Sequence, residues 1–125
     1  MKVSPTARTL KALRLWGYEA GVVERRLPRG RTTVDLFGAF DVLGVKADTL
    51  GVIGIQCTSA SNVAARVTKL RACPVIPVWL QAGNQAEVWG FSKRPLGRGG
   101  RPIWTLKRRI FYLTADGEVL VYEGD

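Results

Sequence analysis

Between Leu50 and Ser59 the chain is almost continuously apolar, and the two larger polar side chains inside the run, Gln56 and Thr58, alternate with Ile55 and Cys57. A run like this reads as a central strand covered on both faces, because a half-solvated strand would alternate polar and apolar residues along its length. Successive side chains of a strand point to opposite faces. Gln56 and Thr58 therefore share one face, and Ile53, Ile55 and Cys57 share the other. The chain must supply a layer above and a layer below this strand. It must also find partners for an amide and a hydroxyl that project into one of those layers.

The flanking sequence supplies the layers. Ser4 followed by Pro5 is a helix start, a side-chain cap before proline at the first helical position. Leu10, Leu13 and Gly17 fall on one stripe, and Gly17 ends the helix. Ala20 to Leu27 reads as a short strand and Pro28 to Arg31 as a basic turn. Thr32 to Val45 reads as one or two strands with Gly38 as a bend or bulge. A helix is expected from about Ser61 to Ala72, with Val63, Val67 and Leu70 buried and Asn62, Arg66 and Lys69 on a neighbouring polar stripe. Val75 to Leu80 and Glu87 to Phe91 read as strands. Lys93 to Pro102 is a basic, glycine-rich loop expected to be mobile, and Ile110 to Leu113 with Val119 to Tyr122 a hairpin. The order implies a single α/β domain over residues 1–125, a central mixed sheet flanked by helices. A chain of this size buries roughly two-thirds of its unfolded surface, enough to fold without disulfides or a structural metal.

Nineteen Lys and Arg stand against ten Asp and Glu, a formal net charge of +9. A small domain this basic attracts polyanions, since each phosphate it neutralises releases condensed counterions. Nucleic acid is the expected partner, ahead of an acidic protein or a membrane surface. The chain has no histidine, which excludes His-activated nucleophiles and the common zinc hydrolase sites. Cys57 and Cys73 are too few for a disulfide framework and suit no zinc motif. Met1 to Leu15 carries Lys2, Arg8, Lys11 and Arg14 without an apolar run, unlike a signal peptide, and no stretch approaches the roughly 20 apolar residues of a membrane span. An intracellular, cytoplasmic protein with no membrane partner is the expectation.

Chemistry has to come from carboxylates, amides, lysine or a hard metal. Asp35 and Asp41 stand in an otherwise apolar segment, where an unpaired carboxylate is costly to bury. They have the same parity, so an unbroken strand would point both to one face, and a bulge at Gly38 would alter that. Asp35 either caps a turn, pairs with Arg31 or assists Asp41. Cys57 reads, as a side chain, as a small buried hydrophobe.

Asp41 on one strand, Gln56 fifteen residues later, Thr58 two positions on and a helix directly after Ser59 resemble the PD-(D/E)xK nuclease superfamily, with its acid, acid-x-lysine and following helix. The wording Asp35-Leu36-Phe37-Gly38, Asp41-Val42-Leu43 and Gln56-Cys57-Thr58-Ser59 with Asn62 looks like a phage and bacterial branch related to Holliday junction resolvases, over about residues 10 to 90. The resemblance implies a restriction-endonuclease-like core and phosphodiester hydrolysis assisted by Mg²⁺ or Mn²⁺. It implies that Asp41, the Gln56 amide oxygen and the backbone carbonyl of Cys57 hold the metal. The family often adds a glutamate from the first helix; that helix is without acids here, and Glu24 is favoured over Glu19 for the role. Thr58 stands where the family has lysine, and cannot replace its charge. Lys46 has the wrong parity, whereas Lys69 and Arg66 lie on the polar stripe of the following helix. Resolvases also imply a homodimer, because two strands are cut symmetrically.

The basic residues group as Arg25-Arg26-Arg29-Arg31, Lys93-Arg94-Arg98-Arg101 and Lys107-Arg108-Arg109. Arg29, Arg31, Asn62, Arg66, Arg98, Arg101, Lys107 and Arg108 are the expected contacts to the DNA backbone, with Trp104 stacking on an exposed base. The expected function is a metal-dependent DNA endonuclease acting on branched or structured DNA, with Asp41, Gln56, Glu24 and Lys69 as its catalytic residues. The alternative is a non-catalytic nucleic-acid-binding module on a degenerate nuclease fold, and a third reading is a subunit that recruits a partner enzyme through the basic C-terminal half.

Overall fold

The computed structural model describes residues 3–29, 32–94 and 99–124. Helix α1 (Pro5–Leu15) starts where its capping signal stands, with Ser4 Oγ accepting from the Ala7 N–H at 3.1 Å. It ends before Gly17, whose φ of +94° is a left-handed conformation that costs glycine little. Strand β1 (Glu19–Val22) follows, then a short antiparallel ribbon of β2 (Arg25–Arg26) and β3 (Thr33–Val34), then β4 (Val42–Val45) and β5 (Ile53–Ser59). A 3-10 turn (Ala60–Asn62) leads into α2 (Val63–Arg71), after which come α3 (Val75–Gln81), β6 (Gln85–Arg94), β7 (Ile103–Leu113) and β8 (Val119–Gly124).

Six strands form one sheet in the order β1-β4-β5-β6-β7-β8. All neighbours are antiparallel except β5 and β6. A parallel pair needs a long crossover connection, and α2 and α3 make it. The fold is therefore mixed α/β, with three α-helices among the described residues. No helix among those residues is long and apolar enough to cross a membrane.

Strand β5 is covered on both faces, as its composition demands. On one face α1 packs Leu13 against Val42, Ile53, Ile55, Cys57, Trp89 and Phe91. On the other, Val63 and Leu70 of α2 and Ile76 of α3 pack with Phe40, Ala86, Val88 and Phe111. Burial of each such large side chain contributes roughly 1.5–3 kcal/mol. The layers approach closely because the sheet offers glycines beneath them. A Cβ on Gly54 would lie 2.7 Å from the Phe40 ring, and one on Gly90 would overlap Val63.

Two expectations need correction. Val75 to Leu80 is helical rather than a strand. A short apolar run has no periodicity that separates a buried strand from a buried helix. Pro77 does not decide it either, because it stands in the first turn of α3, where N–H groups have no intrahelical partner. Second, β6 and β7 are longer than expected, so Lys93, Arg94 and the Lys107-Arg108-Arg109 triplet belong to strands. Of the expected loop, residues 95–98 lie outside the described residues, as do Gly30 and Arg31 of the basic turn. The one or two strands expected over Thr32 to Val45 are two, β3 and β4, with Gly38 in the tight loop between them, and that loop decides the geometry of the site.

Candidate metal centre

Asp35 and Asp41 flank that loop. Leu36 and Phe40 form an isolated bridge, the Leu36 N–H donating to the Phe40 carbonyl at 2.9 Å. Gly38 N–H donates to the Asp35 carbonyl at 3.0 Å, and Phe37 and Gly38 both take left-handed φ values, +58° and +69°. The chain reverses, and both acids come to one place. Glu24, between β1 and β2, joins them because the neighbouring Val23 N–H donates to the Asp41 carbonyl at 2.8 Å. One carboxylate oxygen from each of Glu24, Asp35 and Asp41 lies within 4.8 Å of the others. Three hard oxygen donors at this spacing can hold a metal ion.

The surrounding hydrogen bonds organise the cluster. Asp41 Oδ2 accepts from the Cys57 backbone N–H at 2.7 Å. Within a strand, N–H and C=O of one residue leave on the same side, so the Cys57 carbonyl also faces the Asp41 side. Gln56, 1% exposed, donates through Nε2 to Asp35 Oδ2 at 3.0 Å, the Ala39 carbonyl at 2.8 Å and Asp41 Oδ2 at 3.3 Å. Its Oε1 accepts from Arg66 at 3.2 Å and from Lys69 Nζ at 3.2 Å. Lys69 Nζ also reaches Asp35 Oδ2 at 3.0 Å.

The electrostatics follow from three carboxylates facing two cations. Burial pushes Asp41 up to about 8, helped by its hydrogen bond with Asp35 and the charges of Asp35 and Glu24, while the Cys57 N–H pulls the other way. Asp35 is also pushed up by burial. Its hydrogen bonds with Asp41, Gln56 and Lys69, and the charge of Lys69, outweigh that and hold it below the usual carboxylate value. Asp41 is thus the carboxyl that retains a proton, and a cation beside it would take that proton's place.

The geometry redistributes the expected roles. Glu24, Asp41, Gln56 and Lys69 converge, and the Cys57 backbone stands beside them. The Gln56 amide oxygen is not the atom facing the acids. Arg66 and Lys69 only donate, so they claim Oε1 and leave the nitrogen toward the carboxylates. Asp35 joins Glu24 and Asp41 in the cluster instead, brought there by the reversing loop rather than by strand parity with Asp41. The pairing of Asp35 with Arg31 lies outside the described residues, while that with Lys69 is present. The Cys57 thiol faces α1, away from the acids' hydrogen bonds, and burial, ahead of opposing hydrogen bonds from Thr9 and Thr6, pushes it up to about 12. It is an unreactive core thiol.

Among the expected DNA contacts, Arg66 is at the site, whereas Asn62 donates to Ser59 Oγ at 3.1 Å. Arg29, Arg101 and Lys107 are exposed, and Arg31 and Arg98 lie outside the described residues. Arg108 is engaged within the fold. Its guanidinium pairs with Glu87 at 2.8 Å and lies over Trp16 and Trp89, and Glu87 also accepts from Trp89 Nε1 at 2.8 Å. Glu87 is 3% exposed, so this arginine compensates a buried charge. One face of Trp104 is taken by Arg8, whose guanidinium stands 3.5 Å from the ring centroid.

No protein-family model matches this sequence, and neither a curated protein nor a solved structure does. The site's own geometry has to carry the functional reading.

Proposed function

We propose that the chain is a divalent-metal-dependent DNA endonuclease with a restriction-endonuclease-like core of the PD-(D/E)xK kind, acting on branched or otherwise structured DNA. One observation carries the reading: Glu24, Asp35 and Asp41 converge within 4.8 Å, with Lys69 3.0 Å from Asp35. The sheet supports it as well. An antiparallel β1-β4-β5 meander, a helical crossover and a parallel β6 make the kind of mixed core the resemblance implies.

Glu24, Asp35 and Asp41 would hold Mg²⁺ or Mn²⁺, with the Cys57 carbonyl as a further oxygen. The ion supplies Lewis acidity and a more acidic bound water. Lys69 supplies the ammonium absent from position 58, reaching the cluster from α2 instead of β5. Its contact with Asp35 sets it where it can bind a phosphate oxygen or orient the attacking water. Arg66 and Lys69 hold Gln56, and Gln56 in turn holds Asp35 and Asp41 in register, so the amide positions ligands without being one.

That same amide favours a second reading, a binding module without catalysis, because a neutral nitrogen faces the acids where a further carboxylate would strengthen cation binding. Four-way junction, flap and linear duplex DNA, incubated with Mg²⁺ or Mn²⁺ and with chelator, separate the two. Cleavage that needs metal and disappears in Asp41→Ala supports the nuclease. Salt-sensitive binding with no cleavage in either metal would sink it in favour of the binding module. Symmetric cutting of a junction would require two copies of the chain, and sedimentation in the presence of junction DNA tests for them.

A further inference from the structure

The loop that brings the two aspartates together also exposes an aromatic ring. Phe37 is 58% exposed and holds φ at +58°. A bulky side chain is strained in that conformation, where asparagine or glycine would fit more easily. The residue is nonetheless firmly placed. Its carbonyl accepts from Cys73 Sγ at 3.5 Å, and its ring meets Trp79 edge-on at 6.5 Å. Beside it opens a cavity of about 340 Å³ lined by Val23, Arg25, Val34, Asp35, Leu36 and Phe37. That is at the small end of ligand cavities, roughly 300–1,000 Å³. Its walls are mostly apolar, with the exposed Arg25 and Asp35 of the carboxylate cluster as the ionisable residues. Strain, an exposed ring and a cavity sharing Asp35 with the cluster coincide on one short loop.

We propose that this cavity receives an unpaired nucleobase stacked on Phe37, so that the cluster acts on single-stranded or frayed DNA in preference to intact duplex. The inference rests on the nuclease reading and specifies its substrate. Because Asp35 lines the cavity and belongs to the cluster, a base held here and a phosphate at the metal belong to the same or adjoining nucleotides. A base inside a duplex is stacked between its neighbours and cannot enter, whereas an unpaired one gains the aromatic contact at little cost. Arg25, which lines the cavity from β2, gives a flanking phosphate a cationic partner. Flaps and junctions supply such nucleotides, which is how the proposal refines the expected substrate.

The test reads binding separately from cleavage. Single-stranded and duplex oligonucleotides carrying 2-aminopurine are titrated with the full chain in Ca²⁺, and with Phe37→Asn and Phe37→Trp. Asparagine accepts the left-handed backbone, so the loop is retained. The single strand is expected to bind wild type at least about tenfold tighter than duplex, with a fluorescence change of the probe. Phe37→Asn is expected to lose about tenfold for the single strand and nothing for duplex, the size of one stacking contact, and Phe37→Trp to retain binding. Equal affinity of Phe37→Asn and wild type for single strands, or duplex bound as tightly as single strand, overturns the proposal. Phe37-dependent binding with no cleavage in Mg²⁺ or Mn²⁺ would leave the base site standing and remove the nuclease reading.

Discussion

Lys69 and Asp35 are 34 residues apart in the chain, yet Lys69 Nζ lies 3.0 Å from Asp35 Oδ2. The contact joins the polar stripe of α2 to the loop between β3 and β4, and it puts the ammonium at the edge of the carboxylate cluster. The lysine side chain is 41% exposed, so the pair is worth at most about 1 kcal/mol of stability. Its value lies in placement. Lys69→Ala is expected to shift the urea midpoint little and to lower metal-dependent cleavage by about a hundredfold or more, while Lys69→Arg restores part of the rate. Activity and stability falling in proportion would show Lys69 to be only a strut.

Asp41 should make stability fall as pH rises. Its folded value of about 8 lies above the ordinary 3.8. Between these, the folded state keeps a proton that the unfolded state has lost, so stability declines as pH rises toward the folded value. Asp35, held low, acts oppositely but only below about pH 4. Urea titrations from pH 4 to 9 in chelator are expected to show this decline in wild type. In Asp41→Asn, which mimics the protonated acid, the decline should be absent. Saturating Mg²⁺ or Mn²⁺ should flatten the wild-type curve too, because the ion replaces the proton. A pH-independent wild type would contradict the account of the cluster.

Gln56→Glu turns the donor that holds three oxygens into a fourth carboxylate. With Gln56 buried and donating to Asp35, Asp41 and Ala39, the variant is expected to lose about 3 kcal/mol or more in chelator. Divalent metal should recover most of that loss, and more tightly than in wild type. Thermal denaturation with and without Mn²⁺ checks both halves; equal destabilisation in the two conditions would mean that no cation enters the cluster.

Arg108 is expected to behave as a structural residue. Removing it in Arg108→Ala leaves Glu87 buried beside Trp89, a loss of roughly 3–5 kcal/mol. DNA affinity per folded molecule should stay within about twofold of wild type, the result opposite to that expected of a phosphate-contacting arginine, whose removal weakens binding and lowers its salt dependence.

Much of the scaffold can be read locally. The Ser4 cap, the apolar stripe of α1, the two-faced β5 and the polar stripe of α2 depend on spacing within a few residues, and the fold keeps them. So does the neighbourhood of Asp41 and Gln56, because strand parity and a short connection suffice to pair β4 with β5. The α3 segment was illegible as a helix for a related reason: seven residues, mostly apolar, carry too little periodicity, and the requirement for a parallel crossover between β5 and β6 is not local.

The sequence by itself determined which residue types are available for chemistry: carboxylates, one buried amide, lysine and arginine, with histidine absent. It also determined that Gln56 and Thr58 face one layer and Cys57 the other, since alternation is a property of the strand. Only the tertiary structure decided which carboxylates meet. Asp35 reaches Asp41 through a loop whose left-handed residues reverse the chain, Glu24 arrives through a hydrogen bond of its neighbour to Asp41, and Lys69 arrives from a helix packed on the sheet. It also decided the direction of the Gln56 amide, because the cations that claim its oxygen stand ten and thirteen residues away. Contacts between distant segments depend on how layers pack, and no spacing within one segment encodes them.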